Sequence, residues 1–377
     1  MFPARNEYRF AWQEGNRFVL LIDGVQFFPA MLAAIHGAAQ FVALEMYLIE
    51  SGNIATRIID ALVAAAQRGV LVNVLLDHYG SLALGEEDRA RLRGSGVHLN
   101  FYNTLTVARW RRSFYRDHRK LLIADGEVAF VGGAGITDEF IASNAKPGWR
   151  ETMVKVQGPV VRDWCELFAE GWQRSTGKAL GVDFHRRQSV GAQRGRVVSN
   201  QARGPWEIHR SILGRMRSAQ RQAWLATAYF VPSWKLRRAL RFAARAGTDV
   251  RLLLPGPLSD HPGVLHAGRR HYGGLLRHGV RIYEYQPRFM HQKILLCDDW
   301  VSVGSSNVDR WGQRWNLEAN QEVDDRELAS EVAAMLTADI AQAQEIIYAD
   351  WCKRSWSRRF LEKFWGRVDA LLQRLER

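Results

Sequence analysis

The apolar positions of this chain fall into short blocks of two kinds, helical and extended. The pattern predicts a helix over residues 28–40 and a strand over 41–48. An amphipathic helix over 55–68 follows and ends at Gly69, which is well placed as its cap. Residues 70–76 are apolar throughout except for Asn73. Near-continuous rather than alternating apolarity marks a strand buried on both faces, as in an α/β layer. A helix ending near residues 94–96 leads to a short strand over 97–102. A strand then runs from His118 toward Asp125, and another over 128–131 enters a glycine-rich turn. Strands alternating with helices imply an α/β sandwich.

The pattern occurs twice. Ala64-Ala65-Ala66-Gln67-Arg68-Gly69 and the apolar run behind it match Ala243-Ala244-Arg245-Ala246-Gly247 and the run ending at Leu254. Upstream, the apolar segment ending at Tyr47 matches one ending at Tyr229. Downstream, Gly96-Val97 through Tyr102 matches Gly279-Val280 through Tyr285, and His118-Arg119-Lys120 through Asp125 matches His291-Gln292-Lys293 through Asp298. Four matched blocks in one order define a duplicated unit of roughly 150–180 residues, far longer than a solenoid repeat. The expected organisation is a first unit over 1–176, a Gly-, Arg- and Gln-rich linker over 177–201, a second unit over 202–350, and a basic amphipathic helix over 351–377. In that helix Phe360, Phe364, Val368, Leu371 and Leu375 share one face and Lys353, Arg358, Lys363 and Arg367 supply cations. It fits either a membrane surface or packing on the body. Fourteen residues lie between Asn103 and His118, against four between Gln286 and His291. The longer first loop is basic and aromatic, which suits either a solvated loop or a lip that touches lipid headgroups.

At 377 residues the chain is long enough for two domains. With 47% apolar and 24% charged residues it is globular, not disordered. Cys165, Cys297 and Cys352 are too few for a disulfide scaffold and lack zinc spacing, so they read as idle thiols. No apolar leader stands at the N-terminus and no window approaches the length of a membrane span. The net charge of +13 points to an anionic partner, nucleic acid or membrane. Fourteen tryptophans, several beside arginine as in Trp110-Arg111, Trp149-Arg150 and Trp356-Ser357-Arg358, suit both headgroups and bases.

The chemistry lies in His-x-Lys-x-x-x-x-Asp, present once per unit. Residues two apart on a strand face the same way, so His118 with Lys120, and His291 with Lys293, each form an anion site containing a nucleophile. An imidazole titrates near neutrality and serves as nucleophile or acid–base group. A nearby Asp can hold its tautomer. Two copies in a pseudo-symmetric pair can bring both histidines to one phosphorus, the arrangement a two-step in-line displacement needs. Gly304-Ser305-Ser306-Asn307 adds hydroxyl, amide and backbone donors, whereas Gly132-Gly133-Ala134-Gly135 offers backbone donors alone.

The paired motifs resemble those of the phospholipase D superfamily. Trp12-Gln13-Glu14-Gly15-Asn16, Ala228-Tyr229-Phe230-Val231-Pro232, Val303-Gly304-Ser305-Ser306-Asn307-Val308-Asp309 and Asn316-Leu317-Glu318-Ala319-Asn320 resemble its bacterial cardiolipin synthases, of the short type without N-terminal transmembrane helices. The resemblance implies a fold of two phospholipase D-like α/β sandwich units packed as a pseudo-two-fold pair. It implies His118 as nucleophile, His291 as general acid and then base, Lys120 and Lys293 on the phosphate oxygens, Asp125 and Asp298 as orienting or charge-balancing groups, and Ser305 and Asn307 as phosphate contacts. No metal or cofactor is implied.

The sequence departs from the family pattern in two places. Gly133 and Gly135 stand where Ser and Asn are usual. Five residues separate Asp298 from Gly304 against six between Asp125 and Gly132, which leaves Asp299 as a sharer of the Asp298 role. The expected activity is transfer of a phosphatidyl group from one phosphatidylglycerol to another, with release of glycerol. The expected place is the cytoplasmic side of the cell membrane, as a peripheral protein on an anionic surface and without nucleic acid. The alternatives are another phospholipase D-type lipid hydrolase or phosphatidyltransferase, or a nucleic-acid phosphodiesterase.

Overall fold

A computed structural model describes residues 8–104, 115–143, 146–184, 188–201, 206–309, 315–356, 360 and 364–366. The first unit runs β1 (Gln13–Ile22), α1 (Asp23–Gly37), β2 (Phe41–Met46), α2 (Asn53–Gln67), β3 (Leu71–Asp77), α3 (Glu86–Gly94), β4 (His98–Tyr102), β5 (Arg116–Asp117), β6 (Lys120–Ala124), β7 (Val128–Gly132), β8 (Thr152–Gln157) and α4 (Val161–Thr176). The second runs β9 (Gln193–Asn200), α5 (Glu207–Ser218), β10 (Gln222–Thr227), β11 (Phe230–Val231), α6 (Trp234–Arg245), β12 (Asp249–Pro255), α7 (Pro262–Arg269), α8 (Tyr272–Leu276), β13 (Arg281–Tyr285), β14 (Lys293–Cys297), β15 (Trp300–Gly304), β16 (Val308–Asp309), β17 (Asn316–Asp324), α9 (Arg326–Ile340), β18 (Ala343–Glu345) and α10 (Tyr348–Lys353).

One sheet threads both units in the order β18-β13-β12-β10-β14-β15-β17-β9-β1-β8-β7-β6-β2-β3-β4. Reading outward from the antiparallel β1–β9 pair gives the same sequence of elements in each direction, apart from the extra edge strand β18 of the second unit, so the pseudo-two-fold axis passes between β1 and β9. Within each half the β2–β3–β4 and β10–β12–β13 ladders are parallel, and their crossovers carry α2 and α6. The near-continuous apolarity of these strands has the expected cause. Val72, Val74 and Leu76 enter the core under α1 and α2, while Leu75 enters a second core on the other face. That second core is shared: Phe168 and Trp164 of α4 and Val332 and Leu336 of α9 belong to it together. Each large side chain so buried contributes roughly 1.5–3 kcal/mol. Gly69 ends α2 at φ +88°, as its cap position requires.

Three expectations change. The second half of the supposed linker is β9, whose residues from Gly195 to Asn200 are buried between β1 and β17. It is hard to see in the sequence because Val197 and Val198 are its main apolar residues and its other partners are polar: Arg196 meets Glu322 at 2.8 Å. Glu45, which interrupts the apolar run of β2, is held by Arg119 at 2.7 Å. Arg150 of the Trp149-Arg150 pair is buried rather than headgroup-facing, bonded to Asp339 at 2.9 and 3.0 Å and to Asp23 at 3.2 Å. The match of Tyr47 with Tyr229 slips by one: Met46 pairs with Lys120 and Thr227 with Lys293, so Tyr47 corresponds to Ala228 and Tyr229 to Leu48.

The first-unit loop over 105–114 and most of residues 357–377 lie outside the described residues. Of the C-terminal stretch, Trp356, Phe360 and Phe364 are exposed, and the ring of Trp365 stands against Gly263 at the start of α7. Cys165 and Cys297 are buried thiols and Cys352 is an exposed one.

Candidate active site

The two motif strands β6 and β14 lie on opposite sides of the axis, and each begins beside the other unit. The His118 N–H donates to the Leu317 carbonyl at 3.0 Å, and the His291 N–H to the Arg150 carbonyl at 2.8 Å. The residue after each of these carbonyls is a glutamate, and it faces the histidine so pinned. His118 Nδ1 lies 2.9 Å from Glu318 Oε1, and His291 Nδ1 lies 2.7 Å from Glu151 Oε2. Each imidazole is therefore oriented by a carboxylate from the opposite unit. With the proton on Nδ1 facing the carboxylate, Nε2 keeps a free lone pair.

Lys120 and Lys293 lie in the same cluster. Lys120 Nζ donates to the His118 carbonyl at 2.7 Å. Lys293 Nζ lies 3.0 and 3.2 Å from the two ring nitrogens of His291 and 3.6 Å from Glu151. Burial dominates the electrostatics. It lowers His118, opposed by Glu318, and lowers His291 well below its usual range, helped by Lys293 and Lys120. Burial likewise brings Lys120 down to about 7 against the pull of Glu318, and lifts Glu151 to about 7 against the pull of Lys293. Two lysines, two imidazoles and two carboxylates thus share one buried cluster in which burial works against the charged forms.

Ser305 is brought to this cluster. The Ser305 hydroxyl donates to Glu318 and accepts from the Ala319 N–H at 3.1 Å, and the Asn307 side chain is buried with its oxygen unpartnered among the described residues. In the first unit Gly133 takes the place of Ser305. A Cβ there would stand 2.3 Å from Glu151 Oε2, so the glutamate packs directly on the backbone where its counterpart is reached through a hydroxyl. The surroundings of the two histidines also differ. His118 meets Tyr47 edge-on at 4.7 Å. His291 sits among Trp149 at 5.5 Å, Phe140 at 5.6 Å and Phe289 at 5.8 Å.

Asp125 and Asp298 are not brought to the site. Each follows the far end of its motif strand, about 15 Å along the chain from the lysine. Both take φ +52°, and both spend their carboxylates on backbone. Asp125 accepts from the N–H groups of Ala39, Gln40 and Phe41 at 2.8 Å, and Asp298 from those of Gln220, Arg221 and Gln222 at 2.8–3.1 Å. Partial burial raises Asp298, but these three donors outweigh it and bring the carboxyl below its usual range. The spacing difference is one residue of hairpin turn, and Asp299 pairs with Arg221 at 2.6 Å instead of sharing the role. Asp125→Ala is accordingly expected to cost about 1–3 kcal/mol of stability by stranding three donors at the entry to β2. Denaturant unfolding measures that loss, and turnover per folded molecule should stay close to the parent value.

Glu151 and Glu318 were open to sequence reasoning only in part. Glu318 stands in the Asn316–Asn320 segment, but it follows His291 by 27 residues while Glu151 follows His118 by 33, so loop length hides the match.

A family model described as cardiolipin synthase, phospholipase D-like domain, matches residues 31–172 and again 212–340. Cardiolipin synthase B of Escherichia coli is 34% identical over 92% of this chain and 86% of its own length. Cardiolipin synthase A of Pseudomonas putida is 35% identical over 90% of this chain and 71% of its own. In fold, the chain is similar to the crystal structure of phosphatidylserine synthase from Haemophilus influenzae, with a TM-score of 0.75 over 97% of this chain and 96% of that one at 14% identity. With both halves matched and the relatives aligned along most of their length, the chain belongs to the cardiolipin synthase family of phospholipase D-like enzymes.

Proposed function

We propose that the protein takes the phosphatidyl group of one phosphatidylglycerol onto His118, releases glycerol, and passes the group to a hydroxyl of a second phosphatidylglycerol to form cardiolipin. The observation that carries this reading is the crossed pairing of each motif histidine with a glutamate of the other unit. It gives two oriented imidazoles in one largely buried site that also holds two lysines. In the first step His118 Nε2 bonds to phosphorus and the bond to the glycerol oxygen breaks; His291 gives that oxygen a proton. In the second step His291 takes the proton of the incoming hydroxyl, the new oxygen–phosphorus bond forms, and the bond to His118 breaks. Lys120, Lys293 and Asn307 hold the non-bridging oxygens. Exclusion of water favours the lipid alcohol over hydrolysis.

Vesicles containing phosphatidylglycerol labelled in its headgroup glycerol test the reading. One labelled glycerol should leave for each cardiolipin formed. Release of label with phosphatidic acid as the product, or hydrolysis of nucleic acid at a comparable rate, would overturn it. The lysines and histidines do here what carboxylates and an ion do in a metal phosphodiesterase. Activity is therefore expected to survive EDTA, and loss restored by one particular divalent ion would count against the mechanism.

A peripheral position on the cytoplasmic face of the cell membrane fits this substrate. Among the described residues no helix is long and apolar enough to cross a membrane. The +13 charge and the exposed Trp356, Phe360, Phe364 and Leu258 suit an anionic lipid surface.

A further inference from the structure

The duplication sorts the residues of the site into two kinds. What a phosphate needs is present in both halves: a histidine, a lysine and a crossed glutamate. Recognition of one particular alcohol is not symmetric, so it has to come from groups that one half has and the other lacks. The side of His291 carries such groups.

Tyr229 stands where the first unit has the apolar Leu48. Its ring lies edge-on to His291 at 6.3 Å, and its hydroxyl donates to Asp260. Asp260 and His261 stand in the loop between β12 and α7. The His261 ring tilts against Tyr229 at 5.4 Å, and its Nε2 lies 3.8 Å from the Asp260 carboxylate. The first unit offers no such carboxylate from its own loop. Its Asp77, in the ladder position held by Pro255 in the second unit, is turned back onto the N–H groups of Tyr79, Gly80 and Asp117 at 2.9–3.1 Å. The Asp260 side chain is 25% exposed, so lone pairs beyond the one used by Tyr229 stay open to a ligand. The carboxylate lies close enough to support the positive charge of His291 and Lys293.

We infer that Asp260, set in place by Tyr229, recognises the alcohol: its carboxylate accepts hydrogen bonds from the free hydroxyls of the glycerol headgroup on the His291 side. This inference rests on the proposed transfer, in which His291 protonates the leaving alcohol and activates the incoming one. Glycerol carries hydroxyls besides the reacting one and can reach a carboxylate with them. Ethanol has none to spare, and water is too small to bridge from the phosphorus to Asp260. A site built around such bonds discriminates because only an alcohol with spare hydroxyls can make them.

The test uses the full chain, vesicles of phosphatidylglycerol labelled in the acyl chains, and free glycerol bearing a second, distinguishable label together with ethanol at equal concentration. The products are glycerol-labelled phosphatidylglycerol, phosphatidylethanol, cardiolipin and phosphatidic acid. The wild type should prefer glycerol over ethanol. Asp260→Asn should lower the glycerol-to-ethanol ratio by about tenfold to a hundredfold, and Tyr229→Phe should lower it less and in the same direction. Because a ratio is read, slower turnover or partial folding of a variant does not obscure it. A wild type without preference, or an Asp260→Asn ratio within about twofold of the wild type, overturns the inference. A wild type that makes phosphatidylethanol and prefers glycerol but forms no cardiolipin sinks the cardiolipin reading alone, and the ratio in the variants still decides on Asp260.

Discussion

Replacing His118 with alanine is expected to abolish the covalent phosphoenzyme and to lower turnover by about 10⁴-fold or more. Burial lowers the imidazole, and Glu318 at Nδ1 leaves Nε2 as the atom for the attack in the proposed first step. Among the described residues of the cluster both lysines are occupied as donors to the motif carbonyls. His291→Ala should behave differently. It keeps the nucleophile and loses the proton donor, so phosphoenzyme formation and breakdown both slow, by about 10²–10⁴-fold. A substrate whose leaving group needs no proton, a p-nitrophenyl phosphodiester of the same lipid, should recover most of the first step in His291→Ala and none of it in His118→Ala. Rapid quenching with labelled donor, followed by mapping of the modified residue, makes the measurement. Label found on His291 in the wild type would reverse the two roles.

The duplication and the main elements of each unit were legible because they are written in local pattern: apolar runs, a helix cap, and His and Lys two apart on a strand. What crosses the axis was not. Glu151 and Glu318 reach the histidines of the other unit, and no spacing within either unit points to them. Asp125 and Asp298 show the converse error. They lie in the motif string, but an extended strand carries them about 15 Å from the lysine, so nearness in sequence becomes distance in space. They are shared by both halves because each half needs its strand entry held, which is a structural reason for a repeated residue. Strand β9 was hidden because the axis strands are paired on both sides through polar groups, so low apolarity there signals burial of arginine and glutamate instead of a linker. Asp260 was silent because its meaning comes from an asymmetry that only the ladder register exposes.

Glu318→Gln is expected to lower kcat by about 10²–10⁴-fold with little change in melting temperature, and to move one limb of the pH profile. The glutamine keeps the size of the side chain and an acceptor oxygen for the Ser305 hydroxyl. It removes the negative charge that supports a cationic imidazole as the phosphohistidine forms, and its amide can present the wrong group to Nδ1. The direction of the pH shift follows from the balance at His118. Burial lowers that group and Glu318 opposes the fall, so without the charge it falls further. The nucleophile must be unprotonated, and it then stays so to lower pH; the acid limb of kcat/KM should move down. Glu151→Gln should act on the opposite limb. His291 must carry a proton to serve as acid, and loss of the carboxylate 2.7 Å from its Nδ1 makes that proton harder to hold, so the basic limb should move down. A purely structural role for either glutamate would lower the melting temperature and leave both limbs where they were. Limbs that move upward, or a Glu318→Gln variant that shifts the basic limb instead, would mean that the carboxylates serve the histidines in some other way than by charge.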